Sequence, residues 1–148
     1  MKFFLMRHGE AETFAKTDRD RKLTDQGKSM VRERITALRA ALSDIDCIVH
    51  SPFLRTTQTA EIVATILNID LVTQSPCWVP NANPLEALTS LESYVDACPL
   101  LVSHMPLIAS VEALCAGEKN YPINFECTDL SEIHTEWPSV GMGAFKRL

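Results

Sequence analysis

The chain has 148 residues, 46% of them apolar and 22% charged, which suits one soluble domain (1–148) with a sizeable core. Its net charge of −5 argues against nonspecific nucleic-acid binding and supplies no polybasic membrane anchor. The longest apolar runs, 3–6 and 100–102, are far too short to span a bilayer, and no signal-peptide pattern opens the chain.

The first element in chain order is a short buried strand, KFFLMR, whose apolar run stops at Gly9. Residues 10–23 are polar without a sustained period and read as a surface loop. Thr24 is a candidate cap for a helix running to about Leu42, with Met30, Val31, Ile35, Leu38 and Leu42 on one side. Gly27 in its first turn weakens that start. A second strand, IDCIVH (45–50), meets Ser51-Pro52, which reads as an N-cap followed by Pro at the first helical position. The helix it opens runs to about Leu67, with Ile62, Val63, Ile66 and Leu67 facing inward. A third strand is expected at 69–73, then a proline-rich loop at 75–84. Residues 85–95 read as a helix with Leu85, Leu88, Leu91 and Val95 on one face. CPLLVS (98–103) has the continuous apolar character of a central parallel strand. Pro106 begins another helix, which Gly117 ends. The remainder reads as a connecting loop and one or two edge strands. Strands alternating with helices imply an α/β three-layer sandwich, with helices on both faces of a mostly parallel central sheet.

Five cysteines (Cys47, Cys77, Cys98, Cys115, Cys127) are scattered without a C-x-x-C pair. They read as reduced thiols packed as small hydrophobes, in a cytoplasmic protein.

Ligands of open α/β sheets bind beyond the carboxyl ends of the strands. Three predicted strands end on suggestive chemistry: Arg7-His8-Gly9, Ser51 with Arg55 one turn further on, and Ser103-His104. Taken singly, each arginine reads as a solvated surface residue and each histidine as a structural one. His50 and His134 keep that reading. If the strands are neighbours, however, Arg7, His8, Arg55 and His104 converge on one rim. Guanidinium forks match the oxygens of a phosphate, helix amides add partial positive charge, and a neutral imidazole can attack phosphorus. A zinc site built from His8, His50 and His104 is disfavoured, because two nearby arginines would repel a cation.

These residues carry a family resemblance. Strand–Arg7-His8-Gly9-Glu10 resembles the signature of the histidine phosphatase superfamily, which includes the cofactor-dependent phosphoglycerate mutases. Asp20-x-x-Leu23-Thr24-x-x-Gly27, Ser51-Pro52-x-x-Arg55-x-x-Gln58-Thr59-Ala60 and Val102-Ser103-His104-x-Pro106 resemble its further blocks, in family order. Together they cover residues 2–112, about three quarters of the chain. The resemblance implies a phosphoglycerate mutase-like sandwich and no metal or organic cofactor. It makes His8 the nucleophile that becomes phosphorylated, with Arg7, Arg55 and His104 holding the phosphoryl oxygens. Arg21 is a candidate for a further phosphate or substrate contact. Ser51 and Ser103 are expected to cap and orient.

Many members of the family carry a Glu as general acid in the loop after the third strand. Here that loop reads WVPNANP, with Asn81 at the expected place; Glu86 is nearby in sequence but reads as part of the next helix, and Glu10 and Glu12 are the alternatives. Asparagine cannot protonate an alkoxide, whereas an imidazole can leave already protonated. The chain also lacks the long insertions of the mutases, so an open site is expected. Both features are similar to the small bacterial phosphohistidine phosphatases of the SixA type. They imply an enzyme that removes phosphate from a histidine of a phosphotransfer protein through phospho-His8. The alternatives are a small-molecule phosphomonoesterase of the same superfamily and a weakly catalytic module that binds phosphoproteins.

Overall fold

Strand β1 (Lys2–Arg7) forms where the first apolar run lies, and its side chains alternate between two cores. Phe3 and Leu5 pack with Leu88, Leu101, Ile108 and Val111, while Phe4 and Met6 pack with Val31, Ile35, Val63 and Val102. A strand apolar on both faces needs a layer on each side, and the chain supplies both. The computed structural model describes residues 1–118 and 124–148. In order after β1 come α1 (Asp25–Leu38), β2 (Cys47–His50), α2 (Leu54–Leu67), β3 (Val72–Gln74) and α3 (Pro84–Ser90). They are followed by β4 (Pro99–Ser103), α4 (Leu107–Ala116), β5 (Leu130–Thr135) and β6 (Gly143–Arg147). The sheet order is β3-β2-β4-β1-β5-β6, parallel from β3 to β1, with β5 antiparallel to β1 and β6 antiparallel to β5. Helices α1 and α2 cover one face and α3 and α4 the other, which is the expected three-layer sandwich. Among the described residues, no helix is long and apolar enough to cross a membrane.

Several local expectations are corrected. Thr24 does cap α1, its hydroxyl accepting from Gly27 N at 2.9 Å, but the helix ends at Leu38. There Arg39 N turns to Thr36 O, a tight i−3 bond, and a turn carries the chain to β2 while Leu42 stays buried. Ser51 does not cap α2. Its amide donates to Val102 O, so it is still the last rung of the sheet, and its hydroxyl has no partner among the described residues. The helix begins at Leu54, while the Thr56 hydroxyl ties back to the carbonyls of Ser51 and Phe53.

The third strand is displaced to Val72–Gln74 because Asn68 closes α2 in the left-handed region (φ 60°) and Ile69 N still bonds to Ala64 O. Leu85 is exposed, since Asn83 caps α3 through Leu85 N and turns Ala87, Leu88 and then Leu91 inward. Residues 91–94 tighten into a 3-10 turn. β5 is not an edge strand: it lies between β1 and β6, with Glu132 paired to Lys2 at 3.2 Å. Part of the connecting loop before it, 119–123, lies outside the described residues.

Two glycines let α1 approach the exit of β1. A Cβ on Gly27 would lie 2.1 Å from Glu10 O, and one on Gly9 would lie 2.7 Å from Val31 Cγ2. Gly9 therefore serves close packing rather than an unusual backbone turn. On the opposite face, fully buried Glu112 of α4 pairs with Arg147 of β6 at 2.7 Å. The Arg147 guanidinium lies 3.5 Å from the centre of the Phe125 ring. This pair clamps the segment that leads into β5.

Candidate active site

Strand β4 lies between β1 and β2, so the three exits are neighbours. Main-chain bonds set them level: His8 N donates to Ser103 O and Ser51 N to Val102 O, each at 3.1 Å. The Ser103 hydroxyl donates to Trp78 O at 2.6 Å and holds the 75–84 loop to the rim. The Gly9 amide donates to Thr59 Oγ1 at 3.2 Å, tying the β1 exit to α2.

His8, Arg55 and His104 meet at this rim. The His8 and His104 rings stand edge to face with centroids 5.1 Å apart, and Phe53 packs against His104 at 5.0 Å. His8 Nδ1 is 2.7 Å from Gly9 O, so Nδ1 carries the proton and donates. Nε2 keeps its lone pair and accepts from Arg55 Nε at 3.2 Å. Arg55 is buried beneath Phe53, with its guanidinium carbon 4.9 Å from that ring. Both nitrogens of buried His104 have no partner among the described residues.

Arg7 alternates to the other side of β1, where its guanidinium donates to Phe125 O while buried Nε has no partner among the described residues. Its charge still reaches His8 and His104. Arg21 lies at the outer margin, its Nη1 2.9 Å from Asp18 Oδ1.

Burial, reinforced by Arg55 and Arg7 against the Gly9 carbonyl, pushes His8 down to about 4. Burial, together with His8 and Arg55, pushes His104 down to about 2. Both rings are therefore neutral at neutral pH. An unfolded chain takes up a histidine proton near 6.5, so holding His8 neutral costs no stability above that pH, where both states are neutral. As pH falls from 6.5 towards 4 the unfolded chain binds this proton first, and the stability of the fold drops by about 1.4 kcal/mol per pH unit. Imidazole NMR of the free protein is expected to show His8 titrating near 4; a midpoint at 6.5 would contradict the buried geometry.

The other histidines are apart: His50 bonds to Ser51 O at 2.8 Å and His134 to Glu132 at 2.6 Å. Among the described residues no group of three or more His, Cys, Asp or Glu is placed to hold a metal ion. Glu10 accepts from the Thr24 hydroxyl at 2.7 Å, Glu12 lies 3.5 Å from Lys22, and Asn81 and Glu86 are exposed. Sequence reading missed Asp18, which contacts Arg55 through both its main chain and its carboxylate. It also missed the Phe125 carbonyl that holds Arg7. A polar loop without period gives no signal for the first, and a main-chain acceptor gives none for the second.

The sequence matches the Histidine phosphatase superfamily (branch 1) over residues 3–76. It is 33% identical over 126 residues to the phosphohistidine phosphatase SixA of Escherichia coli, covering 80% of this chain and 76% of that protein. It is 28% identical over 146 residues to the phosphohistidine phosphatase SixA homolog of Haemophilus influenzae, covering 90% and 87%. The solved structure of the protein histidine phosphatase SixA complexed with tungstate is similar with a TM-score of 0.89 at 30% identity, over 99% of this chain and 94% of that one. The sandwich is thus the phosphoglycerate mutase-like one that the motifs imply. With its profile match, its relatives and its fold in agreement, the chain belongs to the histidine phosphatase superfamily.

Proposed function

We propose that this phosphatase removes phosphate from a histidine of a phosphotransfer-type protein, with His8 as nucleophile. The observation that carries the reading is the state of His8: Nδ1 donates to Gly9 O, and Nε2 is deprotonated, its lone pair accepting from Arg55 Nε. In the first step Nε2 attacks phosphorus, the substrate P–N bond breaks, and the substrate imidazole leaves with its proton. In the second, water attacks phosphorus, the Nε2–P bond breaks, and phosphate departs.

Arg55 and His104 gather round the phosphoryl oxygens, and Arg7, whose guanidinium also donates to Phe125 O, adds its positive charge to the site. His104 arrives neutral, with both nitrogens unpartnered among the described residues, and a bound dianion offsets the burial and positive charge that together hold its proton off. A SixA relative is recorded with tungstate, a tetrahedral oxyanion, which supports an oxyanion site here. Asn81, at the place in the 75–84 loop where an acid is expected, suits an imidazole leaving group better than an alkoxide. Five unpaired cysteines agree with a reducing, cytoplasmic setting.

The test is a side-by-side assay of a phosphohistidine-carrying protein and sugar phosphates, with a rapid quench to trap acid-labile phosphate on the enzyme. Turnover of the phosphoprotein with label on His8 is expected. Preference for sugar phosphates, or label elsewhere, overturns the reading.

A further inference from the structure

Each of the three guanidinium nitrogens of Arg55 already has a partner in the free protein. Its Nε donates to His8 Nε2 at 3.2 Å, Nη1 to Asp18 O at 2.7 Å, and Nη2 to Asp18 Oδ2 at 3.1 Å. The other carboxylate oxygen of Asp18 accepts from Arg21 Nη1 at 2.9 Å. One carboxylate thus bridges two arginines with its two oxygens, as a bound oxyanion would. Nε and Nη2 lie on one edge of the guanidinium plane, so His8 Nε2 and the Asp18 carboxylate share a single fork. A phosphoryl group bonded to His8 Nε2 arrives at that same fork, where a resident negative charge opposes it.

Resting on the reading above, we propose that Asp18 is an internal anion that holds the phosphate-binding fork of Arg55 in the free enzyme and is displaced by the phosphoryl group. By competing for Arg55 and Arg21, it sets the affinity for phosphate and drives product release. The side chain is 56% exposed on the short turn Asp18–Asp20, so it moves into water without burying its charge. Arg21 and Arg55 hold its carboxyl below the ordinary range, so the competitor stays charged at working pH. On this account the loop 10–23 is part of the site, and Arg21 reaches the ligand only after Asp18 yields.

The test is D18N, which keeps the size and the main-chain carbonyl but removes the charge. Its affinity for vanadate is measured by calorimetry, and inhibition of turnover by inorganic phosphate alongside. Both are expected to tighten about three- to tenfold. Damage to the loop acts in the opposite direction, so unchanged or weaker binding by D18N overturns the proposal. R55A is titrated in parallel. If R55A loses vanadate while D18N does not gain it, the inference fails and the proposed function stands. If R55A binds vanadate as well as the unsubstituted protein, both fail.

Discussion

Replacing His8 with alanine is expected to lower turnover of a phosphohistidine protein by at least about 10⁴-fold, while vanadate binding stays within about tenfold. The asymmetry follows from the roles of the two ring nitrogens. Nε2 accepts from Arg55 and so offers an anion no donor, and Nδ1 is occupied by Gly9 O. Removing the ring removes the nucleophile but leaves the cations that hold the oxyanion. Labelling followed by quench should find no acid-labile phosphate on the variant. Near-normal turnover by His8→Ala would rule out a phospho-His8 intermediate.

Arg55→Ala is expected to lose both functions, with turnover down by about 10³–10⁵ and vanadate binding weakened with it. Arg55 is the cation in contact with His8, and its loss also releases Asp18 from α2. A second signature separates this from general damage. Arg55 helps keep His8 deprotonated, so its removal moves His8 titration up from about 4 towards the ordinary range. Arg55→Lys restores the charge but not the planar fork, and is expected to stay about 10²-fold below the parent. Imidazole NMR and steady-state kinetics on the two variants check both statements; an unshifted His8 in Arg55→Ala would contradict the pairing.

Legibility from sequence differed from residue to residue, and the causes are physical. His8, Arg55 and His104 could be placed because each follows a strand by a fixed small number of residues, and parallel strands of an α/β sheet end on one side. Ser51 was misplaced as a helix cap because a Ser-Pro pair reads alike whether the serine ends a strand or opens a helix. The main-chain bond from Ser51 N to Val102 O decided between them. β5 looked like an edge because Ser131, Glu132 and His134 are polar; Lys2 and His134 satisfy Glu132 inside the sheet. Leu85 looked buried because helical spacing fixes relative phase only, and the Asn83 cap set the absolute phase.

By itself the sequence determined the alternation of strands and helices, the two-sided burial of β1, and the residue types delivered at three strand exits. Those are local properties, carried by periodicity and by motifs of a few residues. Only the tertiary structure decided that β4 lies between β1 and β2, which brings the exits together. It also decided that His8 is held neutral by burial, that Phe125 lends Arg7 a carbonyl from 118 residues away, and that Asp18 already occupies Arg55. Burial, main-chain acceptors and long-range ion pairs depend on what the fold packs around a residue, and a linear spacing carries no record of them.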